Sequence, residues 1–281
     1  MEWYHILLIV LGALAALAGG STLLCRWAIK PATRDVGLEK YTAAKFAHRG
    51  LHGGGIAENS LSAFRAARDA GYGIELDVRL SRDGELVVFH DPTLTRMCGV
   101  EALVSDCSTR ELSEMKLGGT ADTVPTLEEV LKLIDGRVPL LIEIKMEGEE
   151  HGVAEALAEE ISDYSGDYIV ESFNPKALAI FRKIMPEVPR GILSSLFTKE
   201  EKYKRKPLYF LLENLFFNFL ARPDFIAYEK GGAACPNLRR IRRRWSTPLF
   251  AWTVRSAEEE SKTVSDGFDT VIFEGYLADK K

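Results

Sequence analysis

Cysteine is scarce and unpatterned in this chain of 281 residues. Cys25, Cys98, Cys107 and Cys235 show neither metal-ligand spacing nor the framework of a disulfide-stapled domain. They read as reduced thiols, which suits a cytosolic face. An excess of basic charge is also missing. Lys+Arg 36 against Asp+Glu 41 leaves a net charge of −5, which excludes a general nucleic-acid binder. There is no internal repeat and no low-complexity tract. No glycine-rich dinucleotide fingerprint follows the first strand-like run, which weighs against an open doubly wound sheet. Charge of either sign is absent from one long stretch, "WYHILLIVLGALAALAGGSTLLC" at 3–25.

That uncharged stretch sets the domain organisation. At about 1.5 Å per helical residue it is long enough for a hydrocarbon core of about 30 Å. Trp3 and Tyr4 suit an interface belt at one end. A cleaved signal peptide competes, because "ALA" precedes two glycines, but the basic segment that opens a signal is missing. The expectation is a transmembrane anchor over 1–30, a linker over 31–44 and a single barrel domain over 45–281. Only Glu2 precedes the apolar run, whereas Arg26, Lys30 and Arg34 follow it. The positive-inside rule then makes this a single-pass membrane protein with its catalytic domain in the cytoplasm.

Beyond residue 44, apolar strand-like runs alternate with helical patterns. The runs are "FAH" (46–48), "IELDV" (74–78), "LVVFH" (86–90), "LLIEI" (140–144), "YIVESF" (168–173), "GILS" (191–194), "FIAYE" (225–229), "LFAWTV" (249–254) and "TVIFE" (270–274). Helix starts lie between them: Asn59-Ser60, Thr126 with Glu129, Asn174-Pro175, and Ser256 with Glu259. Strands alternating with helices imply parallel pairing. The fold class expected is α/β, a TIM (β/α)8 barrel. Nine runs are one too many for eight barrel strands. Asp83-Gly84 is a hairpin signal, so the surplus strand is expected between 74 and 90.

Polar residues interrupt these runs in a pattern. Glu75 and Asp77 are two apart, so on a strand their side chains share a face. Glu143 and Lys145 repeat that spacing, while His48-Arg49 and His90-Asp91 close two other runs. In a parallel barrel the carboxyl-terminal strand ends converge on one mouth. Glu75, Asp77 and Glu143 are three hard oxygen ligands that suit Mg2+ or Ca2+ rather than zinc. Ion pairing with Arg49, Arg79 and Lys145 is the alternative use of those acids. His48 and His90 can serve as acid and base near neutral pH, and Arg49 with Lys145 can hold a phosphate. Together these groups describe metal-assisted phosphodiester hydrolysis.

At these residues the sequence resembles the glycerophosphodiester phosphodiesterase family. The resemblance rests on "HRG" (48–50), "AENSLSAFRAA" (57–67), "GIELDVRLSRDGELVVFHD" (73–91) and "EIK" (143–145), with weaker matches at "ESFN" (171–174) and "AWTVR" (251–255). It implies a TIM barrel that hydrolyses glycerophosphodiesters to glycerol 3-phosphate and an alcohol with a divalent cation. It also implies His48 and His90 as the acid–base pair and Glu75, Asp77 and Glu143 as metal ligands. Arg49, Lys145 and Trp252 are implied as substrate or phosphate contacts. Ala57 stands where the family usually has proline, and "VIFEG" replaces a Thr-Asp pair, so Phe273 and Glu274 are expected to reshape the pocket rim. The alternative activities are a lysophospholipase D, or a phosphatidylinositol-specific phospholipase C-like reaction on membrane lipids. "KPLYFLLENLFFNFLARPDF" (206–225) reads either as a buried barrel helix or as an interfacial helix. "LRRIRRRW" (238–245) reads either as a solvated face or as a headgroup contact.

Overall fold

The computed structural model describes residues 19–146 and 151–279 of the chain. The apolar runs become β1 (Phe46–Ala47), β2 (Gly73–Leu80), β3 (Leu86–Val88), β4 (Leu140–Ile144), β5 (Tyr168–Ser172), β6 (Arg190–Ser194), β7 (Phe225–Glu229), β8 (Leu249–Val254) and β9 (Thr270–Phe273). β1 pairs in parallel with both β2 and β9, and the rest pair in parallel in chain order. Eight strands therefore close into a barrel. The ninth is β3. It lies antiparallel on β2, with Val78 opposite Val88, after a turn in which Gly84 takes a φ of +84°.

The two-residue period of the strands divides the core into two layers. On β2, Ile74, Leu76 and Val78 face outward into the main core with Phe64 and Leu127 from the covering helices. On β4, Leu140, Ile142 and Ile144 do the same. The intervening residues face into the barrel. Its amino-terminal half is filled by Phe46, Leu141, Ile169, Leu193, Phe225 and Phe250. The next inward positions toward the carboxyl end are Glu143 above Leu141, Glu171 above Ile169 and Trp252 above Phe250. The apolar floor is thus followed, one layer up, by a polar mouth. Gly191 keeps that floor intact, because a Cβ there would sit 2.1 Å from the Phe225 ring.

Helix starts follow the capping signals. Ser60 accepts from the Ala63 amide at the head of Leu61–Asp69, Thr126 and Glu129 form a reciprocal box, and Asn174 caps a helix with Pro175 at its first position. At Ser256 only half of the expected box forms. Its hydroxyl accepts from the Glu259 amide, but the Glu259 carboxylate accepts from Arg255 and Lys230.

Four expectations meet a different outcome or fall outside the described residues. Most of the uncharged stretch at 3–25 lies outside them. Residues 19–28 are helical, and among the described residues no helix is long and apolar enough to cross a membrane. The stretch 31–44 is not a free linker. Arg34 forks onto Asp224 at 2.7 Å, just before β7, and Tyr41 enters the inner core while donating to the Tyr168 carbonyl at 2.9 Å. The 206–225 segment is not one buried helix. Helix Pro207–Glu213 buries no residue fully, Leu208 and Phe210 are each 52% exposed, and the buried contacts come from Leu215, Asn218 and Ala221 beyond it. Of the arginine run, Arg242 is committed to a two-bond fork on Asp269. All four cysteines are free thiols.

Candidate active site

β2 places Glu75 and Asp77 on the inner face of the barrel, and β4 places Glu143 directly opposite Asp77 in register. All three are buried, and one oxygen from each lies within 4.8 Å of the others. Lys145 reaches into the same group, 3.0 Å from Asp77 and 2.8 Å from Glu143. Arg49 arrives from the loop after β1. Its backbone amide donates to Glu75 at 2.9 Å, and its guanidinium lies 3.5 Å from Asp77. Arg49 adopts a φ of +56°, and Gly50 follows at +80°. A Cβ at Gly50 would sit 2.8 Å from the Ala63 backbone, so only glycine lets the loop turn this tightly.

The β2–β3 hairpin explains how His90 reaches the mouth. β2 runs past the acidic pair to Leu80, and β3 returns beside it until the Phe89 amide donates to the Asp77 carbonyl. Arg79, buried, donates to the His90 carbonyl at 2.9 Å and holds that return in place. Arg79 therefore braces the backbone of the hairpin's return, a different use from the acid pairing considered above.

Each histidine has its own carboxylate. His48 Nδ1–H donates to Glu274 at 2.8 Å, and His90 Nδ1–H donates to Asp91 at 2.6 Å. Those bonds select the tautomer that leaves Nε2 with its lone pair. A chain of ion pairs joins the two sides: Asp91 to Arg96 at 2.5 Å, Arg96 to Glu58 at 2.6 Å, and Glu58 to Arg49 at 2.8 Å. Asn59, itself at a φ of +51°, donates to Asp77 at 2.8 Å. Trp252 stands edge-on to Phe173, with ring centroids 5.4 Å apart, and its buried indole N–H meets no acceptor among the described residues.

The electrostatics follow from burial. Glu75 is pushed well above the usual carboxylate range by burial and by the charges of Asp77 and Glu143. Glu143 is pushed up to about 7 by burial, against the pull of Lys145. Asp77 goes the other way. Burial would raise it, but Lys145, His90 and Arg49 together hold it well below the ordinary value. Burial lowers both His48 and His90, which keeps them neutral near pH 7. Glu274 is held down at about 2, chiefly by the bond from His48.

Among the described residues, three acidic oxygens this close are met by the two cations Lys145 and Arg49, which leaves three carboxylates facing two positive charges. The donors are all carboxylate oxygens, which match a hard divalent cation, so the residues present fit such an ion. A second trio, His48, His52 and Glu274, also lies within 4.8 Å, but there the His48–Glu274 bond already accounts for the contact.

The sequence patterns left several residues without a role. Glu171 lies beside Glu143 across β4–β5, and burial plus the charges of Glu75 and Glu143 push it well upward. Its signal was visible: an acid inside the apolar run "YIVESF", in step with the acid in "LLIEIK". Glu58, Asn59 and Arg96 had no comparable signal. Glu274 was expected at the rim, yet it is the partner of His48. Ala57 is buried in a small core with Val87 and Phe89.

This chain matches the model of the glycerophosphoryl diester phosphodiesterase family over residues 48–274. A glycerophosphodiester phosphodiesterase of Caldanaerobacter subterraneus is 30% identical over 247 residues, covering 80% of this chain and 91% of that one. One from Bacillus altitudinis is 36% identical over 161 residues, covering 53% and 65%. Among solved structures, an Oleispira antarctica phosphodiesterase in complex with the product sn-glycerol-3-phosphate shares 25% identity and superposes with a TM-score of 0.67 over 82% of this chain and 92% of that one. With a matching barrel, a matching model across most of its length and the acidic cluster at the mouth, the chain belongs to the glycerophosphoryl diester phosphodiesterase family and is a phosphoric diester hydrolase.

Proposed function

We propose that the chain hydrolyses glycerophosphodiesters to glycerol 3-phosphate and an alcohol, with His48 and His90 as the proton-transfer pair and a divalent cation, Mg2+ or Ca2+, in the site. The observation that carries this reading is the buried Glu75–Asp77–Glu143 cluster flanked by two histidines, each already paired with its own carboxylate. A hard cation held by those three acids would supply Lewis-acid polarisation and charge neutralisation at the phosphate.

The protein groups account for the proton traffic. Glu274 and Asp91 fix the Nδ1–H tautomers, so each Nε2 is free to accept or deliver a proton. One histidine takes the proton of the nucleophile, either the glycerol 2-hydroxyl or water. A new O–P bond forms from the nucleophile as the P–O bond to the alcohol breaks, and the other histidine protonates the departing alkoxide; where the 2-hydroxyl attacks, water then opens the resulting cyclic phosphate to give glycerol 3-phosphate. Both imidazoles are neutral before substrate arrives, and an anionic phosphate beside them raises their affinity for a proton. Arg49 and Lys145 supply fixed positive charge at the phosphate, and the unpartnered Trp252 N–H offers a donor to the substrate. Arg49 and Asn59 both take left-handed backbone conformations, held there by their bonds to Glu75, Glu58 and Asp77.

We also assign the apolar stretch at 3–25 to a single-pass anchor that holds the barrel on the cytoplasmic face, supported by its lack of charge and by the basic residues that follow. A carboxyl-terminal reporter fusion checks the orientation. The hydrolytic reading is tested by product analysis on a panel of glycerophosphodiesters with and without chelator. Glycerol 3-phosphate released only in the presence of the cation supports it, and release unchanged by chelation removes the cation from the account.

A further inference from the structure

The His48–Glu274 bond accounts for two members of the second trio, and the third is His52. His52 lies in the same loop as Arg49, after β1. Its Nε2 is buried and meets no hydrogen-bond partner among the described residues. One ligand atom of each side chain lies within 4.8 Å of the others, and all three residues are partly exposed, so an ion from solvent can reach them. A cavity of about 340 Å³ adjoins them, lined by Gly50, His52, Gly53, Phe273, Glu274 and Tyr276. The chain after His52 runs through three glycines at positive φ, and a Cβ at any of them would meet nothing within 4 Å. The loop therefore has room to close His52 onto an ion. Arg255 also reaches the Glu274 carboxylate, at 3.4 Å, but its side chain is 58% exposed, so an ion displaces it at little cost. The donor set differs in kind from the cluster at 75, 77 and 143. Two imidazoles and one carboxylate suit a borderline ion such as Zn2+, which takes three protein ligands and a water in the fourth position. Three carboxylates suit a hard ion.

We propose that His48, His52 and Glu274 form a second metal site, selective for Zn2+ over Mg2+ or Ca2+, and that zinc bound there switches the hydrolase off. The site rests on the three side chains, and its effect on rate rests on the hydrolytic reading. Zinc takes the place of the proton between His48 Nδ1 and Glu274, whose atoms already stand 2.8 Å apart, and His52 supplies the third ligand. The proton that leaves Nδ1 is matched by one taken up at Nε2, so the ring stays neutral and no net proton is released. His48 then faces the substrate with an N–H where it had a lone pair. In that form it cannot accept the proton of a nucleophile, and it cannot become the imidazolium that would protonate a departing alkoxide. The block is the same whichever of the two roles His48 plays.

The test measures turnover of glycerophosphocholine against Zn2+ concentration, at saturating Mg2+ or Ca2+. Zinc at saturation should lower kcat by about 10²–10⁴-fold, the share that one acid–base group supplies. More Mg2+ or Ca2+ should not restore it. His52→Asn leaves both histidine–carboxylate pairs in place. It should keep the zinc-free rate and raise the zinc concentration for half-inhibition by at least about tenfold, the least that losing even a supporting partner costs a metal site. Cobalt reads the same site without turnover. Co2+ added to protein already saturated with Mg2+ should give the strong visible absorption of a four-coordinate ion, and Zn2+ should abolish that band. His52→Asn should lack the band whether or not the variant is active. A His52-dependent cobalt band in protein that hydrolyses no phosphodiester supports the site, and in that case the hydrolytic reading alone falls. Zinc inhibition that is relieved by excess Mg2+, or that is equal in His52→Asn, puts the ion on the carboxylate cluster and overturns the proposal. So does cobalt absorption that His52→Asn leaves unchanged.

Discussion

Replacing Glu274 by glutamine keeps the shape of the side chain and removes its charge. Two contacts change. The Glu274 carboxylate accepts from His48 Nδ1 at 2.8 Å, and Arg255 reaches it at 3.4 Å from a mostly exposed position. The exposed Arg255 pair contributes little, so the His48 bond decides the result. A hydrogen bond to a charged group is worth about 1.5–3 kcal/mol. If that stabilisation is fully expressed as the imidazolium forms in the transition state, kcat falls about 10- to 150-fold. The pH dependence has a definite sign. The carboxylate favours protonated His48, so its removal lowers the His48 pKa further, in the direction burial already takes it. The limb of the pH–rate profile that His48 controls therefore moves to lower pH. If it is the ascending limb, His48 is the base, and if it is the descending limb, His48 is the acid. The assay is steady-state release of glycerol 3-phosphate from glycerophosphocholine across pH at saturating cation, with the melting temperature as a fold control. A variant with wild-type kcat and both limbs unmoved would refute the role given to Glu274.

His48→Ala and His90→Ala should each reduce turnover by about 10²–10⁴-fold while the protein stays folded, as read by circular dichroism. Asp91→Asn should move the opposite limb of the pH profile from the one Glu274→Gln moves, and movement of the same limb would collapse the two-histidine division of labour. Gly191→Ala drives a methyl into the Phe225 ring, so a loss of about 1–3 kcal/mol is expected in denaturant unfolding. Arg34→Ala leaves buried Asp224 without its two-bond fork and should cost about 1–3 kcal/mol; no loss would mean that the stretch before β1 is not docked.

The strand ladder was legible because each barrel strand carries its own apolar run, and the hairpin was legible because Asp83-Gly84 leaves the chain few other conformations. The acids at 75, 77 and 143 stood out because a charged residue in step with buried neighbours contradicts the pattern around it. Glu274 did not, because its partner His48 is 226 residues away and only barrel closure brings them together. Glu58 and Arg96 were hidden for a related reason: Glu58 lies in a turn and Arg96 in the four-residue helix Thr95–Cys98, where charged residues are ordinary, and their value comes from the ion-pair chain they complete. The docking of 31–44 was hidden because its contacts are single side chains, Arg34 and Tyr41, with no periodic signal around them.

The central claim is that a divalent cation compensates the carboxylates of Glu75, Asp77 and Glu143. Calorimetric titration of chelator-stripped protein with Mg2+ and Ca2+, read together with the melting temperature, tests it directly. One ion should bind per chain, the melting temperature should rise with ion concentration by mass action, and Glu143→Gln should weaken both effects. Stripped protein that binds neither ion at millimolar concentration and melts at the same temperature with or without them would contradict it.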